Sequence, residues 1–521
     1  AQSSGITVNT GGSLVLDNFT DFTGVIDRIG NAVGITLAGG ELVHIGSSTT
    51  AVVEQVGSIT INAASTTAGG NSSLIRSIHN GFNVELTGGN LARGAGGTVH
   101  FVGEGVDLGG TANRVRFTGT IANVSNNTLT WATLDQVSTA GLEFVRHDAT
   151  NGIDDAAFVT SLAAATLGTE NVKLSASEVL LAPKTINALL LNGADLDVCG
   201  DLLTITGGQV VNLLNSTLTS NLAFGASEIF FFVEAATTLA VNGTITGTGA
   251  LRKQRDGTLV LSNDNTGFTG AATVDEGVLR LLHGGALGTA AGGTTVSALA
   301  AMVLDGPLTL ATEPITINGF GVNNDQTGAL RVINGNSTIG SGTTAFTMGS
   351  ASSIHVEGGR SLTLNASVAT LPFTEVGEGV LELGGTAANS GTGAMTVQEG
   401  TLLLNKSGTA TAVTGTLTIG TQVGSANVLY ASTAGTNQIG AVTVNVNHGA
   451  VLNLNGKSDD VGAINLTGGL ITTGIGALTL GGTLTYNTGG QAVINGILNL
   501  GGATRTFTIN DGASTEDLVI N

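Results

Sequence analysis

The sequence is poor in the residues on which many protein classes depend. Its 521 residues include one cysteine, four prolines and 10% charged residues, whereas an ordinary globular domain carries about 25% charged residues. A single cysteine, Cys199, excludes an intramolecular disulfide framework and a cysteine-rich zinc site. We expect Cys199 to be a small buried hydrophobic residue. Because aromatic residues make up only 4%, any core has to be built from smaller side chains.

Positive charge and long apolar runs are scarce as well. Lys and Arg number 17 against 37 Asp and Glu, which gives a formal net charge of -20 and opposes binding to the phosphates of DNA or RNA. The longest apolar run, residues 298–304, is far shorter than the roughly 18 residues that a transmembrane helix needs. The sequence therefore predicts neither a nucleic-acid partner nor a membrane span.

Glycine, with 81 residues, is abundant, as are Val, Leu, Ile, Thr, Ser and Asn. Short segments such as LTITGG at 203–208 alternate apolar and polar residues, and turns of Gly, Asn or Asp separate them. Antiparallel sandwiches or a solenoid could absorb so many strands. The scarcity of Pro and aromatics, with weak long repeats, favours the solenoid. We predict an all-β, right-handed parallel β-helix, continuous over residues 1–521, with about 20 residues per coil.

One segment interrupts the strand pattern. Residues 143–178 are rich in Ala, and Asp154 and Asp155 precede an Ala-containing stretch as a helix cap would. We expect a short loop or helix that decorates the solenoid. The chain opens without a starting Met or an apolar signal segment, and residues 517–521 resemble the middle of a strand. We therefore expect a processed fragment of a longer protein.

Two longer units recur in the chain. Residues 247–288 contain GTGALRK, GTLVLS, NTGFTG, VDEGVLRL and ALG in this order, and residues 375–404 hold a more degenerate copy with GVLEL and VQEGTLLL. The glycine pairs Gly257 with Gly277 and Gly379 with Gly400 are each separated by about one coil. Glycine allows a tight turn, and the alternating residues form a strand. The units resemble the autotransporter-associated β-strand repeat.

This resemblance carries its own expectations. Proteins with such repeats are typically large, exported bacterial surface proteins with β-helical stalks. The resemblance therefore implies that the chain lies outside the cell, on a bacterial surface.

A few acidic and imidazole side chains are candidate sites. Asp195, Asp197 and Asp201 have spacings that place them on one strand face, where carboxylates could bind calcium or act as acid and base. An exposed acidic patch is the preferred interpretation. The chain has no protease signature, and its seven His lack the spacing of metal ligands. His147 and Asp148, which follow Arg146, are interpreted as a solvated polar turn.

Two further segments are unusual for this chain. The basic cluster RKQRD at 252–256 could contact an acidic glycan or a neighbouring rod, although a solvated turn is preferred. The apolar run IFFFV at 229–233 could be packed core, a lateral contact or an exposed strand, and core packing is preferred. We assign no catalytic, cofactor-binding or metal-binding residue, and we expect no cofactor.

The predicted function is a non-catalytic, extracellular fibre or stalk. Stacked coils give a rigid spacer whose Thr, Ser and Asn side chains form a hydrated outer face. An adhesin passenger that binds glycans or cells is the first alternative, and a β-helical polysaccharide-degrading enzyme that uses Asp195 or Asp197 is the second. The expected partners are further copies of the chain in fibres or bundles, or a cell surface or glycan. Few charges on a Thr-rich flank would need desolvation when rods pack side by side.

Overall fold

The protein consists of β-strands joined by turns. A computed structural model describes residues 5–19, 28–139, 141–198, 201–341, 345–369, 372–421 and 425–521. These residues form 53 strands and no helix, and therefore none that is long and apolar enough to cross a membrane. Strands pair in parallel with strands one coil later, so the chain is a β-solenoid of about 21 turns. The prediction of an all-β parallel β-solenoid is confirmed.

The chain divides into two compact units, Ala1–Leu279 (unit 1) and Arg280–Asn521 (unit 2). The strands that lie within unit 1 are β1 (Gly5–Asn9), β2 (Ser13–Asp17), β3 (Gly34–Ala38), β4 (Glu41–Ile45), β5 (Val52–Gln55), β6 (Ile59–Ile61), β7 (Ser73–Ile78), β8 (Val84–Gly88), β9 (Leu91–Arg93), β10 (Val99–Glu104), β11 (Asn113–Phe117), β12 (Ala132–Asp135), β13 (Val145–Asp148), β14 (Gly152–Asp155), β15 (Phe158–Val159), β16 (Asn171–Leu174), β17 (Glu178–Leu180), β18 (Lys184–Leu191), β19 (Leu196–Val198), β20 (Leu202–Asn212), β21 (Ser216–Leu218), β22 (Asn221–Ala223), β23 (Ile229–Val233), β24 (Thr238–Val241), β25 (Ile245–Thr246), β26 (Leu251–Gln254), β27 (Thr258–Leu261) and β28 (Ala272–Val274).

Strand β29 (Gly277–Leu281) contains the boundary between the units. The strands of unit 2 are β30 (Thr294–Val296), β31 (Ala300–Asp305), β32 (Thr309–Leu310), β33 (Ile315–Gly319), β34 (Leu330–Ile333), β35 (Ser337–Ile339), β36 (Ala345–Val356), β37 (Ser361–Leu364), β38 (Ser367–Ala369), β39 (Phe373–Val376), β40 (Val380–Gly385), β41 (Met395–Val397), β42 (Gly400–Lys406), β43 (Leu417–Ile419), β44 (Ala426–Tyr430), β45 (Val444–Val446), β46 (Val451–Asn453), β47 (Asp459–Val461), β48 (Ile464–Leu466), β49 (Gly469–Leu480), β50 (Leu484–Tyr486), β51 (Ala492–Asn499), β52 (Phe507–Ile509) and β53 (Leu518–Ile520). The expectation of one continuous solenoid over residues 1–521 stays a prediction.

Alternation of side chains along each strand explains the stacking. In β24 and β27, Leu239 and Leu259 point inward, are fully buried and pair in register one coil apart. Each inward side chain stacks on its counterpart in the next coil, so aliphatic columns fill the interior. Burial of one such leucine contributes roughly 1.5–3 kcal/mol. The coil length at this position matches the prediction of about 20 residues.

The first coils of unit 1 are longer. Strands β1 to β12 make three parallel sheets, and Leu42 of β4 pairs with Ile75 of β7. Ile75 in turn pairs with Phe101 of β10, in a coil of intermediate length. The additional residues lie in the connections between strands. The predicted coil length is therefore too short for this part of the chain.

Parallel pairing is interrupted within the segment at 143–178. Strands β13 and β14 form an antiparallel hairpin in which Val145 lies opposite Asp155. Residues 162–164, where a helix was one alternative, form turns. Parallel pairing resumes with β15 and β16, because Phe158 pairs in parallel with Asn171, which pairs in turn with Ala188 of β18. The interruption is therefore a hairpin and a loop, and it ends before residue 178.

A lateral contact within unit 1 joins its early and late coils. The later sheet has two outward columns whose residues pair in register from β18 to β26. One column is Ala188, Gln209, Phe230 and Arg252, and the other is Leu190, Val211, Phe232 and Gln254. The apolar members of these columns share one buried cluster with residues of the early coils, among them Val99, Phe101 and Trp131. We call this contact the seam. Because the seam covers a strand face that would otherwise meet water, both faces of β23 are buried.

The coils of unit 2 vary in length. Its strands lie in two parallel ladders, one that includes β33, β36, β39, β41, β43, β45, β48, β50 and β52 and one that runs through β32, β35, β37, β40, β42, β44, β46, β49, β51 and β53. Ile464 of β48 pairs in register with Leu484 of β50, which again corresponds to the predicted coil length. Inward residues such as Leu417 and Val444 are fully buried. The same aliphatic stacking therefore extends through unit 2.

The paired glycines of the two repeat units stack on one another. The N–H of Val278 donates to the carbonyl oxygen of Gly257 (3.1 Å), and that of Thr401 donates to Gly379 (3.0 Å). Gly277 and Gly400 have φ angles of 66° and 78°. A Cβ on Gly277 would lie 2.5 Å from the Gly257 oxygen, and one on Gly400 would lie 2.7 Å from the Gly379 oxygen. These positions need glycine for backbone conformation and for close approach.

Candidate functional site

The seam contains a group of paired charges that are buried or half-buried. Arg93 of the early coils pairs with Glu228 of the later coils at 2.6 Å, and Arg252 lies 3.4 Å from the same carboxylate. Arg252 also pairs with the buried Asp275 at 2.7 Å. The guanidinium of Arg93 lies over the rings of Trp131 and Phe230, with 5.5 and 5.1 Å to the centroids. These contacts hold the two sets of coils together.

Burial shifts the pKa values of groups in and beside the seam. Desolvation raises the pKa of Asp275 to about 7, although Arg252 opposes this shift. It lowers the pKa of Lys253 to about 7 and that of His100 to about 3. Lys253 points into the coil interior, where its ammonium donates to the carbonyl oxygen of Glu276 at 2.9 Å. A buried network of this kind fixes the structure of the coils around it.

The cluster at 252–256 and the run at 229–233 both contribute to this contact. The preferred interpretation of the basic cluster as a solvated turn is wrong, because Lys253 and Gln254 are fully buried. Charge runs are normally solvated, and the seam overrides that tendency. Core packing of the run at 229–233 is confirmed, since Phe231 packs inside the coil with its centroid 6.1 Å from that of Phe224. Phe230 and Phe232 also make the lateral contact.

Two of the three aspartates considered for calcium or acid–base chemistry, Asp195 and Asp197, accept hydrogen bonds from the following coil. The Asp195 carboxylate accepts a hydrogen bond from the N–H of Thr217 (2.7 Å), and that of Asp197 accepts one from the Thr219 hydroxyl (2.8 Å). Both aspartates are exposed. Among the residues that the structure describes, no group of three His, Cys, Asp or Glu is placed to hold a metal ion.

The remaining candidates from the sequence, His147 and its neighbours, make structural contacts. His147 is half-buried, and its Nε2 accepts a hydrogen bond from the N–H of Phe117 (3.0 Å). Arg146 pairs with Asp154, whereas Asp148 is partly exposed and its carboxylate accepts hydrogen bonds from the N–H groups of Thr150 and Asn151 in the turn. The solvated-turn interpretation thus fits Asp148 better than His147. Cys199 lies outside the described residues.

Unit 2 presents a long, uncharged outward column. Its members occupy the central, outward position of β41, β43, β45, β48, β50 and β52 and pair in register: Thr396, Thr418, Asn445, Asn465, Thr485 and Thr508. We call this column the polar ladder. Neighbouring parallel strands lie about 4.8 Å apart, so hydroxyl and amide groups recur at that spacing along the surface.

Hydrogen bonds order the polar ladder. The Asn465 amide donates to the Asn445 oxygen (2.9 Å), and the Asn445 amide donates to the Thr418 hydroxyl (3.0 Å). Two residues further along the strands, a second polar column begins in which the Thr467 hydroxyl donates to Asn447 (2.8 Å). The side chains are thus held in one direction while their remaining donors and acceptors stay at the surface.

The alternation of apolar and polar residues is visible in the sequence, but the alternation alone does not identify the polar ladder. Segments such as LTL, ITI and LTI, in which two apolar residues flank a Thr, indicated one buried and one wet face. The signal that identifies the ladder is the recurrence of MTV, LTI, VNV, INL, LTY and FTI at coil spacing. The middle residue of each of these six segments is uncharged and faces outward.

Comparison with known proteins identifies similarity to an adhesin. The chain is 28% identical over 227 residues to the adhesin BmaC autotransporter of Brucella suis biovar 1 (strain 1330), and the match covers 44% of this chain and 6% of that relative. No protein-family model and no solved structure matches the chain. The chain therefore corresponds to a small part of the relative's length. Together with the β-solenoid fold, this similarity confirms the predicted resemblance to autotransporter passengers with a β-helical body.

Proposed function

We propose that this chain is part of an exported, surface-located adhesin-like passenger and that its polar ladder contacts the same ladder on a second copy. The observation that carries the proposal is the uncharged, ordered column from Thr396 to Thr508. The similarity to an autotransporter adhesin supports the location and the adhesin class. An adhesin-like role is thus favoured over the inert fibre that the sequence first suggested.

The physical argument concerns the cost of removing water from the contact. A charged side chain is expensive to desolvate unless it finds a partner, whereas hydroxyl and amide groups can exchange water for one another. Both ladders have the same repeat of about 4.8 Å, so one pairing in register aligns every coil. Each neutral hydrogen bond across the contact contributes a net free energy of about 0.5–1.5 kcal/mol. These contributions add along the six residues of the polar ladder, less the entropic cost of ordering their side chains.

The enzyme alternative receives less support. Asp195 and Asp197, which it would use, hold the backbone and a hydroxyl of the following coil. The named relative is an adhesin. We therefore propose a non-catalytic role.

Sedimentation velocity of the purified chain over a range of concentrations tests the contact. We expect reversible association that Thr485→Glu weakens by at least about tenfold, because a carboxylate would enter the contact beside its own copy. Thr472→Glu is the matched control, since Thr472 is an outward threonine in the other ladder of unit 2. A monodisperse monomer at high concentration, or equal effects of the two variants, would contradict the proposal.

A further inference from the structure

A half-open cleft of about 540 Å³ lies in unit 1 where the parallel pairing is interrupted. Its walls come from the turn before β12, the hairpin of β13 and β14, and the segment that leads to β16. The lining residues used below are Asn127, Arg146, Asp155, Ala157, Phe158 and Glu170. The volume is within the range of about 300–1,000 Å³ that is typical of ligand sites.

Hydrogen bonds fix the walls of the cleft. Arg146 donates through Nε to the carbonyl oxygen of Asp155 (2.8 Å). The Glu170 carboxylate accepts N–H groups from Thr166 and Leu167 (2.9 and 2.8 Å), and the resulting pKa of Glu170 is lowered. The Asn171 amide donates to the carbonyl oxygen of Ala157 (3.0 Å). The cleft is therefore built by side chains of three separate segments.

The cleft combines an apolar platform with hydrogen-bond acceptors. Phe158 is 38% exposed, and the Lys173 ammonium lies on its ring, 5.2 Å from the centroid. Few other aromatic residues among those that the structure describes are exposed. Asn127, with φ of 61°, presents an exposed amide, and the Asp155 side chain is also exposed. Planar amide and carboxylate groups bind hydroxyls, while an aromatic ring packs against the C–H face of a pyranose.

The charges indicate which sugars fit. Arg146, which lines the cleft, pairs with Asp154, and Lys173, which lies over the Phe158 ring, pairs with Glu143. The exposed carboxylate of Asp155 would repel an acidic sugar, whereas it accepts hydrogen bonds from neutral hydroxyls. We propose that this cleft binds a short neutral oligosaccharide. The proposal deepens the adhesin-like function and rests on it, but it uses a different surface from the polar ladder.

Calorimetric titration of the whole chain with cellotriose, maltotriose, mannotriose and chitotriose tests this site. We expect saturable binding of at least one of them and none of trigalacturonate. Phe158→Ala and Asn127→Gly should each weaken binding at least about tenfold, because they remove the platform and the amide while glycine keeps the left-handed backbone. Asp155→Asn should weaken it less, since an amide oxygen still accepts.

Matched controls separate this site from general damage and from self-association. Phe82→Ala removes another exposed phenylalanine, and Asn324→Gly replaces another exposed left-handed asparagine; both should leave binding within about twofold. The Thr485→Glu variant should bind the sugar normally even if it no longer associates. No saturable binding to the neutral panel, preference for trigalacturonate, or equal losses in the controls would overturn the proposal.

Discussion

The outward columns of the seam and the polar ladder both point away from a solenoid interior, but they are built from different residues. The seam columns begin with aliphatic residues and Gln209 and continue through Phe230 and Phe232 to Arg252 and Gln254, and their apolar members are covered. The polar ladder contains only Thr and Asn and stays partly exposed. Aromatic bulk and charge therefore mark a face that this chain itself covers, while small uncharged groups mark a face that remains open.

Ion pairs follow the same division. Most of the ion pairs of the described residues lie in unit 1. In unit 2, Arg360 and Glu357 form an exposed pair, whereas Arg280 is partly exposed and pairs with the largely buried side chain of Asp305. Unit 2 consequently depends on aliphatic stacking and neutral hydrogen bonds.

The largest effect is expected from removing an aromatic ring of the seam. Phe232→Ala should cost about 3–5 kcal/mol, the usual loss for a buried phenylalanine. Its particular consequence should be faster hydrogen exchange in the early coils, at β7, β10 and β12, because Phe232 shares their cluster. Phe231→Ala in the same strand is the control, since Phe231 packs inside its own coil. Identical exchange maps for both variants would argue against the seam.

A smaller effect is expected from the buried ion pair of the seam. Arg252→Met leaves the Asp275 carboxylate buried without its cation and should cost about 3 kcal/mol in chemical denaturation at pH 8. Arg360→Met removes an exposed arginine from its pair with the exposed Glu357 in unit 2 and should cost about 1 kcal/mol or less. The contrast between the units would disappear if the two variants lost similar stability.

The smallest effect concerns pH. Burial raises the pKa of Glu375 well above its usual range and those of Asp459 and Glu313 to about 6, so the folded unit 2 retains protons that the unfolded chain has lost. For Asp459 and Glu313 this stabilisation is complete below about pH 4 and is lost as pH rises through 6. The carboxyl group of Glu375 extends the loss of stability to higher pH. Glu375→Gln should flatten that dependence and stabilise the protein at pH 7, because an amide does not titrate.

The early coils of unit 1 should respond in the opposite direction. Burial lowers the pKa of His44 to about 4 and that of His100 to about 3. Between these pH values and about pH 6.5, the unfolded chain therefore binds more protons than the folded chain. Acidification through that window removes stability. Hydrogen exchange at pH 7 and pH 5, corrected for intrinsic rates, should show protection lost near β4 and β10 and gained near β39. Asp275 offsets part of the change in unit 1, and a uniform response would contradict this assignment.

The sequence was sufficient for the fold because each coil repeats a local rule. Alternating Leu, Val and Ile specify an inward column, and Gly257 and Gly277 specify where the chain turns. The seam was harder to predict because it depends on which outward faces meet, and coil spacing does not encode that. The unbroken apolar run at 229–233 was the available signal, since a strand buried on both faces loses its alternation. The cleft depends on the hairpin geometry at 145–155, which has no repeat to reveal it.

The stacked glycines determine how such a chain can change during evolution. A side chain at Gly277 or Gly400 would collide with the backbone of the coil before it, and a shift of that coil would be passed to its neighbours. Single substitutions at these corners are therefore costly, whereas insertion or deletion of a whole coil leaves every glycine above an equivalent carbonyl. Lineages of this protein should accordingly differ in the number of coils more readily than in the residues at their corners.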